Sequence, residues 1–256
     1  MCLIFMSFKT HPDYKLIVAA NRDEFYNRKT APAHFWTDYP HVLGGRDMEA
    51  SGTWLGVNRQ GKVSMITNYR DFKNIRHDAP SRGHLVSGYL TGNTEPEMYM
   101  RAVEMRGAMY NGFKLIAGTP DKLYYYSNYK HGVELIAPGL HGLSNHLLNT
   151  QWPKVRKGLD KMRPLMNTKI IDADMLLDAL YDAEIAGDDE LPDTGLGIEQ
   201  ERMLSSMFIK GSEYGSRSSA VLFIDRAETV FLKERVYDPA SLKYTDNSFT
   251  FTIEKQ

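Results

Sequence analysis

Two hydrophobic patterns divide the chain into strand-rich and helical stretches. Apolar, β-prone runs bounded by turn residues predict strands, and apolar residues three and four positions apart predict helices. The predicted strands cover residues 2–9, 14–20, 53–57, 62–68, 113–117, 123–127, 133–137, 207–210, 219–224, 229–235 and 249–254. The predicted helices begin after Ser81 and at a capping box over 94–97, and then cover 153–166, 172–186 and 198–206.

The order of these elements predicts the fold class. Strands, helices, strands, helices and strands follow one another, hairpins dominate, and no regular β-α-β alternation occurs. This order favours an α+β fold with two mainly antiparallel sheets and helices outside them. Because no linker, repeat or low-complexity tract interrupts residues 1–256, we expect one domain, with an ordered functional loop over 187–197.

Composition narrows the classes of partner. The 256 residues are 42% hydrophobic and 25% charged, with a formal net charge of −1, so a general electrostatic grip on nucleic acid is not expected. The longest apolar runs are too short for a membrane span, which predicts no integral membrane association. Residues 1–9 lack the basic start and apolar length of a signal peptide, which predicts a cytoplasmic protein.

Several familiar chemistries have no signature in the sequence. The chain contains no G-x-G-x-x-G, no P-loop motif, no H-E-x-x-H, no G-x-S-x-G and no C-x-x-C-H. Its single cysteine excludes internal disulfides and sites with several cysteine ligands. We therefore expect neither a metal nor a cofactor.

The single cysteine is residue 2. Removal of Met1, which is common before a small residue, would leave the α-amino group on Cys2 itself. With a pKa of about 7.7–8.0, that amine can serve as a base for the thiol of the same residue. The alternative is that Cys2 is only a small hydrophobic residue in the first strand.

A polar tetrapeptide follows the second predicted strand. In a hairpin, the end of this strand lies near the start of the first, so Arg22 or Asp23 is expected beside Cys2. Arg22 would stabilise the thiolate or bind a substrate carboxylate, and Asp23 would orient the α-amine. The alternative for Asn21, Arg22, Asp23 and Glu24 is a solvated loop with a surface ion pair.

Other polar residues at predicted strand ends and loops complete the candidates. Asn68 and Asn145 are candidates for an oxyanion hole, or else turn and capping residues. Arg217, which precedes a predicted strand, is either a buried electrostatic partner or an exposed loop arginine. Gly44-Gly45-Arg46-Asp47 and the glycines around Trp54 indicate tight loops that either wall a pocket or simply turn the chain.

Short motifs, in order over nearly the whole chain, give a resemblance to a known family. They are Met1-Cys2, Asn21-Arg22-Asp23-Glu24, Gly44-Gly45-Arg46-Asp47, Gly52-Thr53-Trp54-Leu55-Gly56, Ser81-Arg82-Gly83, Tyr110-Asn111-Gly112-Phe113, Gly142-Leu143-Ser144-Asn145, Leu191-Pro192-Asp193-Thr194-Gly195 and Tyr214-Gly215-Ser216-Arg217-Ser218-Ser219. The chain resembles a bacterial member of the NRDE family, also called the transport and Golgi organisation protein 2 family. The resemblance implies a four-layer αββα sandwich of the N-terminal nucleophile hydrolase type.

The resemblance also implies site roles, by analogy with the cholylglycine hydrolase and penicillin acylase group. The expected catalytic residues are Cys2 as nucleophile with Arg22, Asp23, Asn68, Asn145 and Arg217, and the expected substrate-binding residues are Asn21, Glu24, Arg46, Trp54 and Ser144. In those amidases the arginine and aspartate after the second strand are separated, whereas Arg22 and Asp23 are adjacent here, and Glu24 competes for the aspartate's role.

Two functions remain open from the sequence. The first is an N-terminal-cysteine amidohydrolase or acyltransferase for a small linear amide or acyl substrate. The second is a non-catalytic carrier of haem or an acyl-CoA-like lipid, for which Tyr124, Tyr125, Tyr126 and the 13 methionines could line a pocket, although their alternation also fits an ordinary core. The expected partner is thus a small amide, acyl or haem-like ligand. The oligomeric state is left open, a homodimer included.

Overall fold

The structure, a computed structural model, describes residues 2–254. Its first sheet has six strands in the order β10-β1-β2-β11-β12-β13, all neighbours being antiparallel. The strands are β1 (Cys2–Phe8), β2 (Tyr14–Phe25), β10 (Gly139–Leu143), β11 (Tyr214–Asp225), β12 (Thr229–Tyr237) and β13 (Tyr244–Thr252). The strand that begins at Cys2 therefore lies inside the sheet, between β10 and β2.

The second sheet follows the chain order β3 to β9, again with antiparallel neighbours. Its strands are β3 (Thr30–Phe35), β4 (Val42–Asp47), β5 (Leu55–Asn58), β6 (Val63–Asn68), β7 (Phe113–Thr119), β8 (Lys122–Ser127) and β9 (Lys130–Leu135). In such a meander each strand pairs with the next one along the chain, so the pairing follows directly from chain order.

Three apolar clusters stack the elements into four layers. Residues such as Ile4, Val18 and Met65 fill the space between the two sheets. Leu3 and Ile17, on the opposite face of the first sheet, pack against α3 (Pro153–Met166) and α4 (Ala173–Leu180). The outer face of the second sheet packs against α1 (Gly83–Thr91) and α2 (Pro96–Arg106), and a short helix, α5 (Ile198–Met203), precedes β11. The expected αββα sandwich with two antiparallel sheets is confirmed.

The predicted N-terminal hairpin is present, and its register decides where the chemistry lies. Cys2 is paired with Arg22, Leu3 with Asn21 and Ile4 with Ala20. Because side chains alternate between the faces of a strand, Cys2 shares the inter-sheet face with Ile4, and Arg22 shares it with Ala20. The head of β1 and the far end of β2 therefore meet at one edge of the space between the sheets.

Several boundaries differ from the sequence-based prediction. β2 continues to Phe25, so the tetrapeptide over 21–24 is strand and not loop. The Gly44–Asp47 segment, expected as a tight loop, lies in β4, where a Cβ on Gly45 would collide with the Trp54 ring. The helix predicted over 172–186 ends at Leu180, and residues 207–210 form only an isolated bridge between Lys210 and Gly215.

Other local signals were also misread. The helix after Ser81 begins at Gly83 and α2 begins at Pro96, and neither carries a side-chain cap at its first turn. The strands β3 and β10 have no counterpart in the prediction, and β11 begins at Tyr214 instead of residue 219. Within residues 2–254, no helix has both the length and the apolar character needed to cross a bilayer.

Candidate active site

Cys2 opens β1 at the rim of the inter-sheet space. It is half-buried and is the chain's single cysteine. Burial raises the pKa of its thiol, and the Asp23 carboxylate raises it further, whereas the Arg22 guanidinium lowers it. A thiol held mainly protonated needs a base close by before it can act as a nucleophile.

Arg22 lies directly across the hairpin from Cys2. Its guanidinium carbon stacks 4.2 Å from the centre of the Trp54 ring, and its Nη2 lies 3.9 Å from Glu24 Oε2. The side chain is only 5% exposed, and Nη1 is buried without a hydrogen-bond partner among the described residues. An unused, charged N–H donor beside a thiol is suited to binding a thiolate or a substrate oxygen.

A very small cavity lies between these residues. Its volume is about 10 Å³, about the space that one water needs. Cys2, Ile4, Arg22, Trp54, Ile66 and Ser218 are among the residues that line it. The stacked Trp54 and Arg22 side chains therefore leave room for a water beside the thiol, and a larger ligand requires Trp54 to move.

Asp23 faces the opposite side of the sheet from Arg22. Its Oδ1 accepts a 2.6 Å hydrogen bond from the Ser216 hydroxyl, and the residue is 1% exposed. Burial raises the pKa of this carboxyl, while the nearby Lys154 ammonium and the Ser216 hydrogen bond lower it. Asp23 is thus a buried carboxylate beside the head of β1, which is the location expected of a group that orients an α-amine.

The two candidate asparagines lie together at the ends of β6 and β10. Asn145 Nδ2 donates to the Asn68 carbonyl oxygen at 3.1 Å. Asn145 Oδ1 accepts from the Ser144 hydroxyl and from the Lys154 ammonium, both at 3.3 Å. Both polar atoms of the Asn145 side chain thus have hydrogen-bond partners, and the residue is buried, as is Ser144.

The Asn68 side chain differs from that of Asn145. Its carbonyl oxygen also accepts a hydrogen bond from the Lys114 ammonium, but its side-chain amide makes no hydrogen bond to residues 2–254. Asn68 is half-buried. Both N–H donors of the Asn68 amide are therefore available for a developing oxyanion, whereas Asn145 already donates one of its two.

Asn21 is a candidate with other partners. Its Nδ2 donates to the carbonyl oxygens of Leu180 and Met207, and its Oδ1 accepts from the Ser219 hydroxyl at 2.6 Å. The side chain lies on the helical face of the sheet because it is out of phase with Arg22 along β2. Asn21 therefore ties the sheet to the segments around α4, and it is also among the residues that line the small cavity beside Cys2.

Arg46 and Arg217 are also occupied away from the thiol. Arg46 makes a two-pronged ion pair with Asp38 at 2.9 and 3.1 Å and stacks over Trp36. Arg217 Nη1 donates to three carbonyl oxygens at and just after the end of β2, those of Phe25, Tyr26 and Arg28. A bulge between Ser216 and Ser218 displaces Arg217 from the regular register of β11.

Four buried residues that interact with Cys2 or with Asp23 were missed: Lys114, Lys154, Arg70 and Ser216. Lys114 interrupts the apolar strand Phe113–Thr119, which is a signal that sequence reasoning could have used. Lys154 stands in the first turn of an amphipathic helix, where a lysine ordinarily faces solvent. Across residues 2–254, no group of three His, Cys, Asp or Glu side chains is arranged to hold a metal ion.

A candidate ligand site for the carrier hypothesis lies elsewhere in the molecule. A groove of about 680 Å³ runs along α2 beside β7 and β8, and Met98, Met105 and Tyr124 are among the residues that line it. Tyr124, Tyr125 and Tyr126 are themselves buried, so the tyrosine run belongs mainly to the core. None of the candidate catalytic residues lines this groove.

The fold is an α+β sandwich of two antiparallel sheets between helical layers. A solved structure with this architecture is the N-acylethanolamine-hydrolyzing acid amidase ortholog of Caenorhabditis elegans. The two are only 8% identical, but they superpose with a TM-score of 0.50 over 86% of this chain and 92% of that one.

The sequence comparisons are more specific. The family model described as Transport and Golgi organisation 2 matches residues 1–239. The mouse Transport and Golgi organization 2 homolog is 32% identical over 99% of this chain and 100% of its own, and the human homolog is 33% identical over the same shares. This chain belongs to the transport and Golgi organisation 2 family.

Proposed function

We propose that the chain is an N-terminal-cysteine amidohydrolase or acyltransferase that acts on a small linear amide or acyl substrate. The observation that carries the proposal is the pairing of Cys2, at the head of a central strand, with the buried Arg22, whose Nη1 has no hydrogen-bond partner among residues 2–254. The proposal requires removal of Met1, which lies outside the described residues.

The first half-reaction uses Cys2 alone as nucleophile and base. The free α-amine takes the thiol proton, the sulfur attacks the carbonyl carbon, and a tetrahedral oxyanion forms. The side-chain amide of Asn68 is our candidate donor to this oxyanion, and the guanidinium of Arg22 adds positive charge beside it. Collapse breaks the C–N bond, the α-amine returns the proton to the leaving amine, and a thioester remains on Cys2.

The second half-reaction resolves the thioester. In a hydrolase, the α-amine takes a proton from water, the hydroxide adds to the thioester, and the carboxylic acid leaves as the thiol regains its proton. In an acyltransferase an amine takes the place of water. The buried Asp23, fixed by Ser216 at 2.6 Å, is our candidate for orienting the α-amine through both steps.

The test is amine release from a panel of N-acyl amides by the protein without Met1. We expect turnover of at least one amide by the native protein, and none by the Cys2→Ala variant. Because Cys2 is the single cysteine, no second thiol offers a control, so Ser7→Ala on the same strand serves instead and should keep full activity. Turnover that survives in Cys2→Ala would refute the proposed mechanism.

A second candidate function is a carrier of haem or an acyl-CoA-like lipid. The groove beside α2 favours it, because about 680 Å³ is a typical ligand volume and its methionines adapt to apolar ligands. Titration with haemin and with an acyl-CoA tests this candidate. Saturable micromolar binding that is weakened by Met105→Asp would support it, and the absence of saturable binding would remove it.

A further inference from the structure

Two lysines are buried near the head of β1 in a manner unusual for this residue type. Lys114, in β7, is 0% exposed, and Lys154, in the first turn of α3, is 3% exposed. Lysine is almost never fully buried unless an opposite charge accompanies it, since an unpaired ammonium loses its hydration without compensation. We call Lys114 and Lys154 the lysine pair.

The lysine pair has only neutral hydrogen-bond partners. Lys114 Nζ donates to the Asn68 carbonyl oxygen, and Lys154 Nζ donates to Asn145 Oδ1 at 3.3 Å. Asn145 Nδ2 bonds to the same Asn68 carbonyl oxygen at 3.1 Å, so one short polar network links both ammoniums. Among residues 2–254, neither ammonium has a carboxylate oxygen within 4.0 Å.

Positive charge is in excess around this network. Arg70, whose backbone N–H donates to the Asn145 carbonyl oxygen at 2.8 Å, is buried beside the network and pairs with Glu201 at 2.5 Å, while Arg22 is buried opposite Cys2. Arg70 Nε and Nη2 and Arg22 Nη1 are buried without hydrogen-bond partners among the described residues. Burial and the neighbouring cations together lower the pKa of Lys154 to about 8 and that of Lys114 well below its usual range.

The lysine pair is within electrostatic reach of the candidate nucleophile. A thiolate at Cys2 raises the pKa of both Lys114 and Lys154, and the Asp23 carboxylate raises that of Lys154. Asn68, which joins the pair, ends β6, and Ile66 of the same strand lines the cavity beside Cys2. An anionic group held here would therefore lie within electrostatic reach of Cys2.

We propose that the lysine pair, together with Arg22 Nη1, is an anion subsite that binds a carboxylate or phosphate group of the molecule on which Cys2 acts. The role in substrate binding rests on the function proposed above, whereas the binding of a free anion does not. The subsite assigns an acidic substrate class to the site, because an anionic group would supply the close negative charge that the neutral hydrogen-bond partners of the two buried lysines do not.

Alkylation of Cys2 by two matched reagents tests the subsite. Iodoacetate and iodoacetamide react with the same thiolate and differ in charge, so the ratio of their rates reports the local potential and not the thiol pKa. The chain has one cysteine, so the adduct is unambiguous. We expect the rate ratio of iodoacetate to iodoacetamide in the native protein to exceed that in the urea-unfolded chain by about tenfold or more.

Methionine substitutions identify the residues responsible. Lys114→Met and Lys154→Met should each bring the ratio close to that of the unfolded chain. Lys157→Met is the matched control, since Lys157 lies on the same helix but pairs with Asp182 at 2.8 Å on the surface, and it should keep the native ratio. A native ratio equal to the unfolded one, or a ratio unchanged in both buried-lysine variants, would overturn the proposal.

Calorimetric titration of the Cys2→Ala protein with inorganic phosphate and with acetate separates the two proposals and the two anion types. Saturable binding of either anion, lost in Cys2→Ala/Lys154→Met and retained in Cys2→Ala/Lys154→Arg, supports the subsite even if Cys2 proves chemically inert. Phosphate binding alone indicates a phosphorylated substrate, and acetate binding alone a carboxylate. No saturable binding of either anion would refute the subsite and leave the proposed reaction to its own test.

Discussion

The position and contacts of Arg22 make it the residue expected to influence most directly what binds beside Cys2. It lies opposite the thiol in the hairpin register, stacks on Trp54, and keeps Nη1 without a hydrogen-bond partner among the described residues. A planar guanidinium can stack and donate hydrogen bonds at the same time, which a lysine cannot do. Arg22 is therefore expected to contribute through geometry as well as charge.

Substitution of Arg22 tests this expectation. Because a hydrogen bond to a charged group contributes about 1.5–3 kcal/mol, Arg22→Leu should lower kcat/KM for amide turnover by about 10- to 100-fold. Arg22→Lys should recover only part of the loss. Arg46→Leu provides the control, since Arg46 also stacks on a tryptophan but pairs with Asp38 elsewhere, and it should leave turnover unchanged. Full activity in Arg22→Leu would contradict the assignment.

Substitutions of Asn68 and Asn145 should differ in whether they lower kcat or the free energy of unfolding. Asn68→Ala removes an amide that has no partner in residues 2–254, so it should lower kcat with little change in the free energy of unfolding. Asn145→Ala leaves Lys154 without its hydrogen-bond partner, so it should lower the free energy of unfolding by about 1–3 kcal/mol. Urea unfolding and steady-state kinetics on both variants measure the two effects; equal loss of stability in both would contradict the assignment.

At the scale of the elements, local pattern predicted some of the site and tertiary packing determined the rest. The β1–β2 hairpin, and with it the meeting of Cys2 and Arg22, follows from a short turn between two apolar runs. The extension of β2 to Phe25 does not follow, because its polar residues are buried by partners far along the chain, such as Ser216 and Leu180. The predicted caps of α1 and α2 and the predicted loop at Gly44-Gly45 were wrong for the same reason, because contacts with distant parts of the chain decide these local structures.

The burial of Lys154 illustrates the limit of sequence reasoning about α3. An amphipathic pattern places the helix correctly but does not show that its first turn is buried and bonded to Asn145. This burial also has an energetic consequence. An unfolded lysine has a pKa of about 10.4, whereas that of Lys154 is lowered to about 8, so folding expels a proton between these values.

The stability of the protein should therefore depend on Lys154 and on pH. Below about pH 8 the native state must bury Lys154 as an ammonium, which lowers the free energy of unfolding. As pH rises from about 8 towards about 10.4, the unfolded chain binds more protons than the native one, so this loss of stability declines. Lys154→Met should raise the free energy of unfolding at about pH 7 by about 1–4 kcal/mol, with a smaller gain at about pH 10. Urea titrations at both pH values check this; a destabilised Lys154→Met, or a gain equal at both pH values, would contradict it.

At the scale of the whole molecule, the sandwich puts a reactive strand end between two sheets. β1 is paired on both sides, by β10 and β2, and its first residue reaches the rim of the inter-sheet space opposite Trp54 and Ile66. Pairing along β1 fixes the strand while leaving its amino end at the sheet edge. The family gives the fold and leaves the reaction to be decided by this site.

Intact-mass spectrometry of the untagged protein, before and after treatment with a thiol-directed acylating probe, tests directly whether Cys2 is an accessible N-terminal nucleophile. We expect a chain without Met1 that gains one acyl group in the native state, and no adduct in Cys2→Ala. A chain that retains Met1, or a native Cys2 that stays unacylated under conditions that modify the unfolded chain, would contradict it.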